Sequence, residues 1–206
     1  DYSVYLSNIV LPGILILLIL LTTTYTIGLE WKQGTQRQWY RMAGGSVTTA
    51  LAGKLLPQTV IFSLIIIFYD VYLYRFMAFP CNSGIAAMMG VGILTVLASQ
   101  AFGVFLSGIF SGQMRMPMCL SSLWGILSFS LAGFTFPTSA MSPVLSSLAA
   151  LFPLRHYYLL YANQALNGYP IAYAWPSVVA LLLFIMLPLT VNSRYRAAFL
   201  KYRYKP

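Results

Sequence analysis

The chain has 206 residues, 59% of them hydrophobic and 7% charged, where a soluble domain carries about 25% charged residues. A water-soluble fold of this length has no room to hide so much apolar surface, so the composition implies an all-α, polytopic helical membrane protein. The net charge of +9 sits in short loops and a tail beside apolar runs; that is the placement of topology-setting charge, not of a nucleic-acid surface.

The chain opens at Asp1 without a Met or a charged leader region, which reads as a piece of a longer protein or a processed one. The first expected span is 8–27, with ILILLILL at its centre and Pro12 in its first turn, where a missing N–H costs little. At about 1.5 Å per residue such a stretch covers a hydrocarbon core about 30 Å thick. The second span is 55–74. Pro57 and Gln58 open it, and Tyr69, Tyr72 and Tyr74 close it as an interfacial aromatic belt. Asp70 lies near its end. It is either close enough to the interface to be wet, or it lines a solute path or a subunit contact, because acids inside a membrane are costly.

Residues 79–84 form a turn, and the third span is 85–110. Ala86/Gly90, Ser99/Gly103 and Gly108/Gly112 carry the small-xxx-small spacing that lets helices approach closely. Gln100 falls mid-span, suited to a helix–helix hydrogen bond or to a place on the solute path. A loop with Arg115 precedes the fourth span, 117–136. Gly133, Phe134, Thr135, Phe136 and Pro137 then break the pattern. Between Pro137 and Pro153 the apolar VLSSLAALF is too short to cross, so 137–170 is expected to hold outer re-entrant half-helices, covered by protein or lining a cavity. Arg155 to Tyr169 is polar and aromatic, as at an interface; the lone His156 reads as a structural residue there. The fifth span is 174–191, followed by a tail at 192–206. Cys81 and Cys119, the only cysteines, are expected near opposite membrane faces; without a CxxC or Cys/His cluster no metal site is expected.

Five spans place the 28–54 loop, the Arg115 loop and the tail on one side. That side holds ten basic residues, and the other holds only Arg75 and Arg155. The asymmetry makes the first side cytoplasmic and residue 1 external.

The 28–54 loop is the longest polar interval. If Glu30 to Met42 is one helix, Trp31, Thr35, Trp39 and Met42 share a face suited to the membrane body. Gln33, Arg37, Tyr40 and Arg41 fall opposite, free for a partner or simply solvated. Gly44-Gly45 should end that helix and Ser46 should cap the next.

Glu30, Gly34-Thr35 and Gly53-Lys54, then Leu55-Leu56-Pro57, resemble the integral-membrane permeases of type-2 ABC exporters. So do the Gly133–Pro137 break with Met141 and Pro143, and Phe152-Pro153-Leu154. The resemblance runs over nearly the whole chain. Lys32 stands where the family often has a second acid, Met42-Ala43 where it has Thr-Pro, and Ser142 splits its Met-Pro. It implies one more N-terminal span, sometimes followed by a large external domain. It also implies a coupling segment (Glu30, Gln33, Gly34, Thr35, Arg37, Arg41) seated in an ATP-binding cassette ATPase, with gating at Gly133, Phe136, Pro137 and Pro153. Asp70 and Gln100 would lie on the path, in a bacterial inner membrane, beside a second permease copy.

A P-loop needs GxxxxGK[ST]. Leu55 follows Gly53-Lys54, and Thr48 stands where the first glycine belongs, so ATP and Mg would bind the partner and no cofactor would bind this chain. The walls suit a hydrophobic or amphipathic solute, drug-like by a weak lean of the resemblance. A membrane-embedded lipid- or glycan-handling enzyme and a non-transporting scaffold or sensor subunit stay open as other readings.

Overall fold

A computed structural model describes residues 2–134 and 141–201. Among them the fold is helical throughout: α1 (Tyr2–Gln33), α2 (Gln36–Met42), α3 (Val47–Val71), α4 (Ile85–Ile109), α5 (Arg115–Leu131), α6 (Pro143–Ala149), α7 (Pro153–Tyr161), α8 (Trp175–Thr190) and α9 (Asn192–Lys201). Wider π turns, Tyr72–Phe76 and Ala162–Leu166, extend α3 and α7.

Four stretches are helical, long and apolar enough to cross a membrane: Leu6–Gln33, Val47–Phe76, Ile85–Ile109 and Ile171–Leu200. The stretch expected as the fourth span is the shorter α5. Its 17 residues reach about 25 Å. It nonetheless runs the length of the bundle antiparallel to α1. Met114, just before it, packs on Gly28, and Phe129, near its end, packs on Gly13.

The helices outrun the expected spans because nothing in the sequence stops them where apolarity fades. In α1 the first residue to leave helical geometry is Gly34, at φ 72°. Pro12 therefore lies inside a 32-residue helix and not in its first turn. Pro57 is likewise interior to α3, because Ser46 starts that helix early: its side chain accepts the Thr49 N–H at 3.4 Å. Gly44 and Gly45, both at positive φ, end the preceding helix as their position implied.

α4 is the central helix. Of its most apolar window 61% is buried, against 17% for the Val47–Phe76 span, which forms an outer wall. Small residues admit the neighbours. A methyl group added at Gly103 would lie 3.1 Å from Thr23 of α1, and one at Gly108 would lie 2.6 Å from Val191. Gly90 faces open space. Polar side chains tie the middle of the bundle. Gln58 donates to Thr22 and Thr23 at 2.8 Å. Thr59 donates to Gln100 at 2.5 Å, and Gln100 donates to the Leu55 carbonyl at 3.2 Å.

The end of the bundle that holds the 79–84 turn departs most from the sequence reading. Only Tyr72 of the expected belt is exposed. The Tyr69 hydroxyl donates to the Ser7 carbonyl, and the buried Tyr74 donates to Asn8, both at 2.7 Å, fastening α3 to α1. The stretch 155–165 is largely core and not an interface, whereas 166–169 are exposed: Tyr157, Leu160 and Tyr161 are buried, because α7 inserts between α1, α4 and α8. The 79–84 turn caps it. Asn82 and Ser83 N–H groups donate to the Ala165 and Gln164 carbonyls at 3.0 and 3.2 Å. Cys81 is in this turn, and Cys119 is near the start of α5 at the other end; both are free thiols.

His156 is buried beside Phe184, with Nε2 2.8 Å from the Ala150 carbonyl. Burial pulls its pKa below the ordinary 6.5. The folded state therefore favours the neutral ring. That contribution to stability is fully present above the unfolded pKa and is lost as pH falls through the lower, folded value. Lowering the pH from neutrality is expected to reduce the melting temperature of the wild-type chain more than that of His156→Gln, which has no proton to gain; thermal denaturation in detergent across pH 7 to about pH 5 reads the difference.

Candidate coupling site

The end of the bundle that holds α2, here called the inner end after the orientation expected from the charges, is organised by a short chain of polar contacts. Glu30, in the last turn of α1, forms an ion pair with Lys54 of α3 and accepts a hydrogen bond from the Thr35 hydroxyl. Lys54 also stands 5.0 Å from the centre of the Trp39 ring. The Trp39 indole N–H donates to the Ala50 carbonyl at 3.1 Å. Glu30, Thr35 and Lys54 thus meet in space, although Lys54 follows Glu30 by 24 residues. Glu30 and Thr35 are turned toward each other inside the site, and Lys54 is the residue the sequence reading left out of it.

Glu30 to Met42 is not one helix. Gly34 takes a left-handed φ of 72°, and the Thr35 N–H closes back on the Glu30 carbonyl at 3.1 Å, ending α1 before α2 starts. The two aromatic anchors therefore come from different helices. Trp31 is 2% exposed, and Trp39 is half-buried. Met42, expected on the packed face, is 85% exposed, because α2 ends there and the chain swings out through Gly44. Tyr40, expected to face a partner, stacks on Phe199 with ring centres 5.0 Å apart. Gln33, Gly34, Arg37 and Arg41 are exposed.

Phe199 belongs to the stretch expected to be a cytoplasmic tail. It lies in α9, which packs under α2, α3 and α4. Besides Tyr40, its ring meets Trp31 at 5.3 Å, Trp39 at 5.1 Å and Tyr195 at 6.3 Å. The sequence carried a signal for this. Val191, Tyr195, Ala198 and Phe199 have i, i+4, i+7, i+8 spacing, the stripe of a buried helix face. Arg203 and Lys205, the last charges of that tail, lie outside the described residues.

Among the other candidates, Gly133 stands at φ 98° just after α5, and Pro153 is the first residue of α7. Phe136 and Pro137 lie outside the described residues. Asp70 is 1% exposed, so it is not wetted from the interface, and its Oδ2 has no hydrogen-bond partner among the described residues. Gln100 bridges α3 and α4 at the wall of a mostly apolar groove of about 420 Å³ that also includes Leu51, Leu55, Thr59, Leu97 and Ile185. Asp70 does not line that groove.

Removing one partner of a largely shielded ion pair leaves the other charge without compensation. Lys54→Met is expected to lower stability by about 1–3 kcal/mol. Adding Glu30→Gln to it should recover part of that loss, as thermal denaturation of the single and double variants will read. Equal, additive losses would mean that the pair is not coupled.

The family described as ABC-2 family transporter protein matches residues 1–194. No curated protein and no solved structure matches the chain. The match takes in α1 to α8 and the start of α9, so it covers the clasp of Glu30, Thr35 and Lys54, the central α4 and the short α6 and α7. With its multi-pass helical bundle and a family match over 1–194, the chain belongs to the ABC-2 family of transporter proteins.

Proposed function

We propose that the chain is the membrane-spanning permease of an ABC exporter, driven by ATP hydrolysis in a separate subunit. The observation that carries this reading is the inner end: the motif residues Glu30, Thr35 and Lys54 hold α2 beneath the bundle and leave Arg37 and Arg41 exposed. In this reading α2 is the coupling helix, seated in a cleft of an ATP-binding cassette ATPase that binds ATP and Mg. Two permease copies and two ATPases make the working unit, in a bacterial inner membrane.

The charge asymmetry supports an orientation with α2 and α9 in the cytoplasm. Five traversals of the bundle then put the 79–84 turn, α6 and α7 outside. The cargo is a hydrophobic or amphipathic solute, with a weak preference for drug-like molecules. The walls support that class: the grooves along the bundle are lined mostly by Leu, Ile and Val, with few polar groups. Gly133 and Pro153 bracket the outer break, where the path would open, and the buried Asp70 would lie on that path.

Arg41→Glu puts a negative charge where the ATPase would dock. Association of the ATPase with the variant is expected to weaken about tenfold or more, with the permease itself unchanged in melting temperature. Co-purification at fixed salt measures it. Undiminished association together with undiminished ATP-driven transport would sink the docking role of α2.

A further inference from the structure

We infer that α9 is a second transmission arm, carrying the movement of α2 into the last membrane-crossing helix through Phe199. The inference rests on α2 being the coupling helix and adds where its movement goes.

α2 is joined to the bundle on two sides. On one side lies the clasp already described, which leads into α1 and α3. On the other side lies α9. Phe199 fills the space between Trp31, Trp39 and Tyr40 and is 1% exposed. The Arg37 guanidinium donates to the Leu200 carbonyl at 3.0 Å, in the last turn of α9, where carbonyls lack helical partners. A push on α2 therefore meets α9 through a ring packed on three others and through a charged hydrogen bond.

α9 in turn is not a loose appendage. It continues α8 after a single non-helical residue, Val191, and the two form one helical stretch, Ile171–Leu200. Hydrogen bonds carry through the joint: Val191 N–H donates to the Pro188 carbonyl at 3.3 Å, and Tyr195 N–H donates to the Val191 carbonyl at 3.0 Å. The Tyr195 hydroxyl is buried and donates to the Val104 carbonyl of α4 at 2.7 Å. Val191 and Tyr195 both press on Gly108, where an added methyl group would come within 2.6 and 2.8 Å of them. Close-packed contacts of this kind transmit displacement instead of absorbing it. α9 thus stands between α2 and the two helices, α4 and α8, that make the most extensive contact in the bundle.

The test uses the chain assembled with its ATPase. Spin labels at Met42 and Ala197, both exposed, report the separation of α2 and α9 without disturbing the packed residues. That separation is expected to change by less than about 2 Å between nucleotide-free and ATP-bound states, since the two helices move as one body. A larger change means that α2 slides on α9 and overturns the inference. In parallel, Phe199→Ala is expected to keep ATPase association and ATP turnover while transport per ATP falls about tenfold, with Phe199→Leu recovering part of it. Unchanged transport per ATP in an assembled Phe199→Ala complex also overturns the inference. If Phe199→Ala does not fold, the label distances decide. Failure of the wild-type chain to bind an ATPase at all would instead remove the parent reading.

Discussion

The ion pair between Glu30 and Lys54 is the contact on which the inner end depends. It is the one ion pair among the described residues, in a chain with only three acids. It ties the end of α1 to the start of α3 and so closes the loop that carries α2. Thr35 then uses the second carboxylate oxygen, which fixes the entry to α2 right after Gly34 has ended α1. With that entry set, Trp39 falls over Lys54 and bonds to Ala50, and Tyr40 falls on Phe199. A surface pair of this kind is usually worth little. Here both side chains are about four-fifths shielded, and the geometry they impose matters more than their energy.

The two ends of the bundle are built differently, and that difference suits a transporter. The inner end is a compact aromatic cluster around Phe199, backed by Trp31, Val104 and Tyr195. The outer end has broken helices: α6 and α7 start at Pro143 and Pro153, and the two π turns lie at the ends of α3 and α7. Irregular backbone at such depth is tolerated only where protein covers it, and the 79–84 turn does so by donating to carbonyls of the second π turn. α6 keeps Val144, Leu145 and Leu148 exposed. One end is thus a single packed cluster, and the other is assembled from short helices and π turns.

Much of this was legible in the sequence, and what was not has physical reasons. The helical membrane class, the 85–110 span, the Gly44-Gly45 stop and the Ser46 cap all depend on local chemistry, which composition and short motifs carry. α1 and α3 extend beyond the expected 8–27 and 55–74 spans because hydropathy marks where a helix leaves lipid, not where it stops being a helix. Trp31 was correctly placed on a packed face, yet its partner Phe199 is far away along the chain, and no local pattern reports such a contact. The basic residues of 192–206 interleave with the Val191, Tyr195, Ala198, Phe199 stripe, whose helical spacing is present in the sequence. The run of Arg155, His156 and two tyrosines reads locally as an interface. Its burial comes from α1, α4 and α8 closing around it, with the Arg155 guanidinium reaching the Ala132 carbonyl at 3.4 Å and His156 the Ala150 carbonyl.

Whether α2 is the surface that meets the ATPase is best measured by photo-crosslinking from an exposed position on that helix that takes no part in the clasp. Gln38 is such a position. A photoreactive residue placed there, in cells that carry the neighbouring ATPase, is predicted to give a covalent permease–ATPase adduct. The same residue at Leu123, exposed on the side of α5, is predicted to give none. An adduct from Leu123 but not from Gln38, or from neither, would contradict the account.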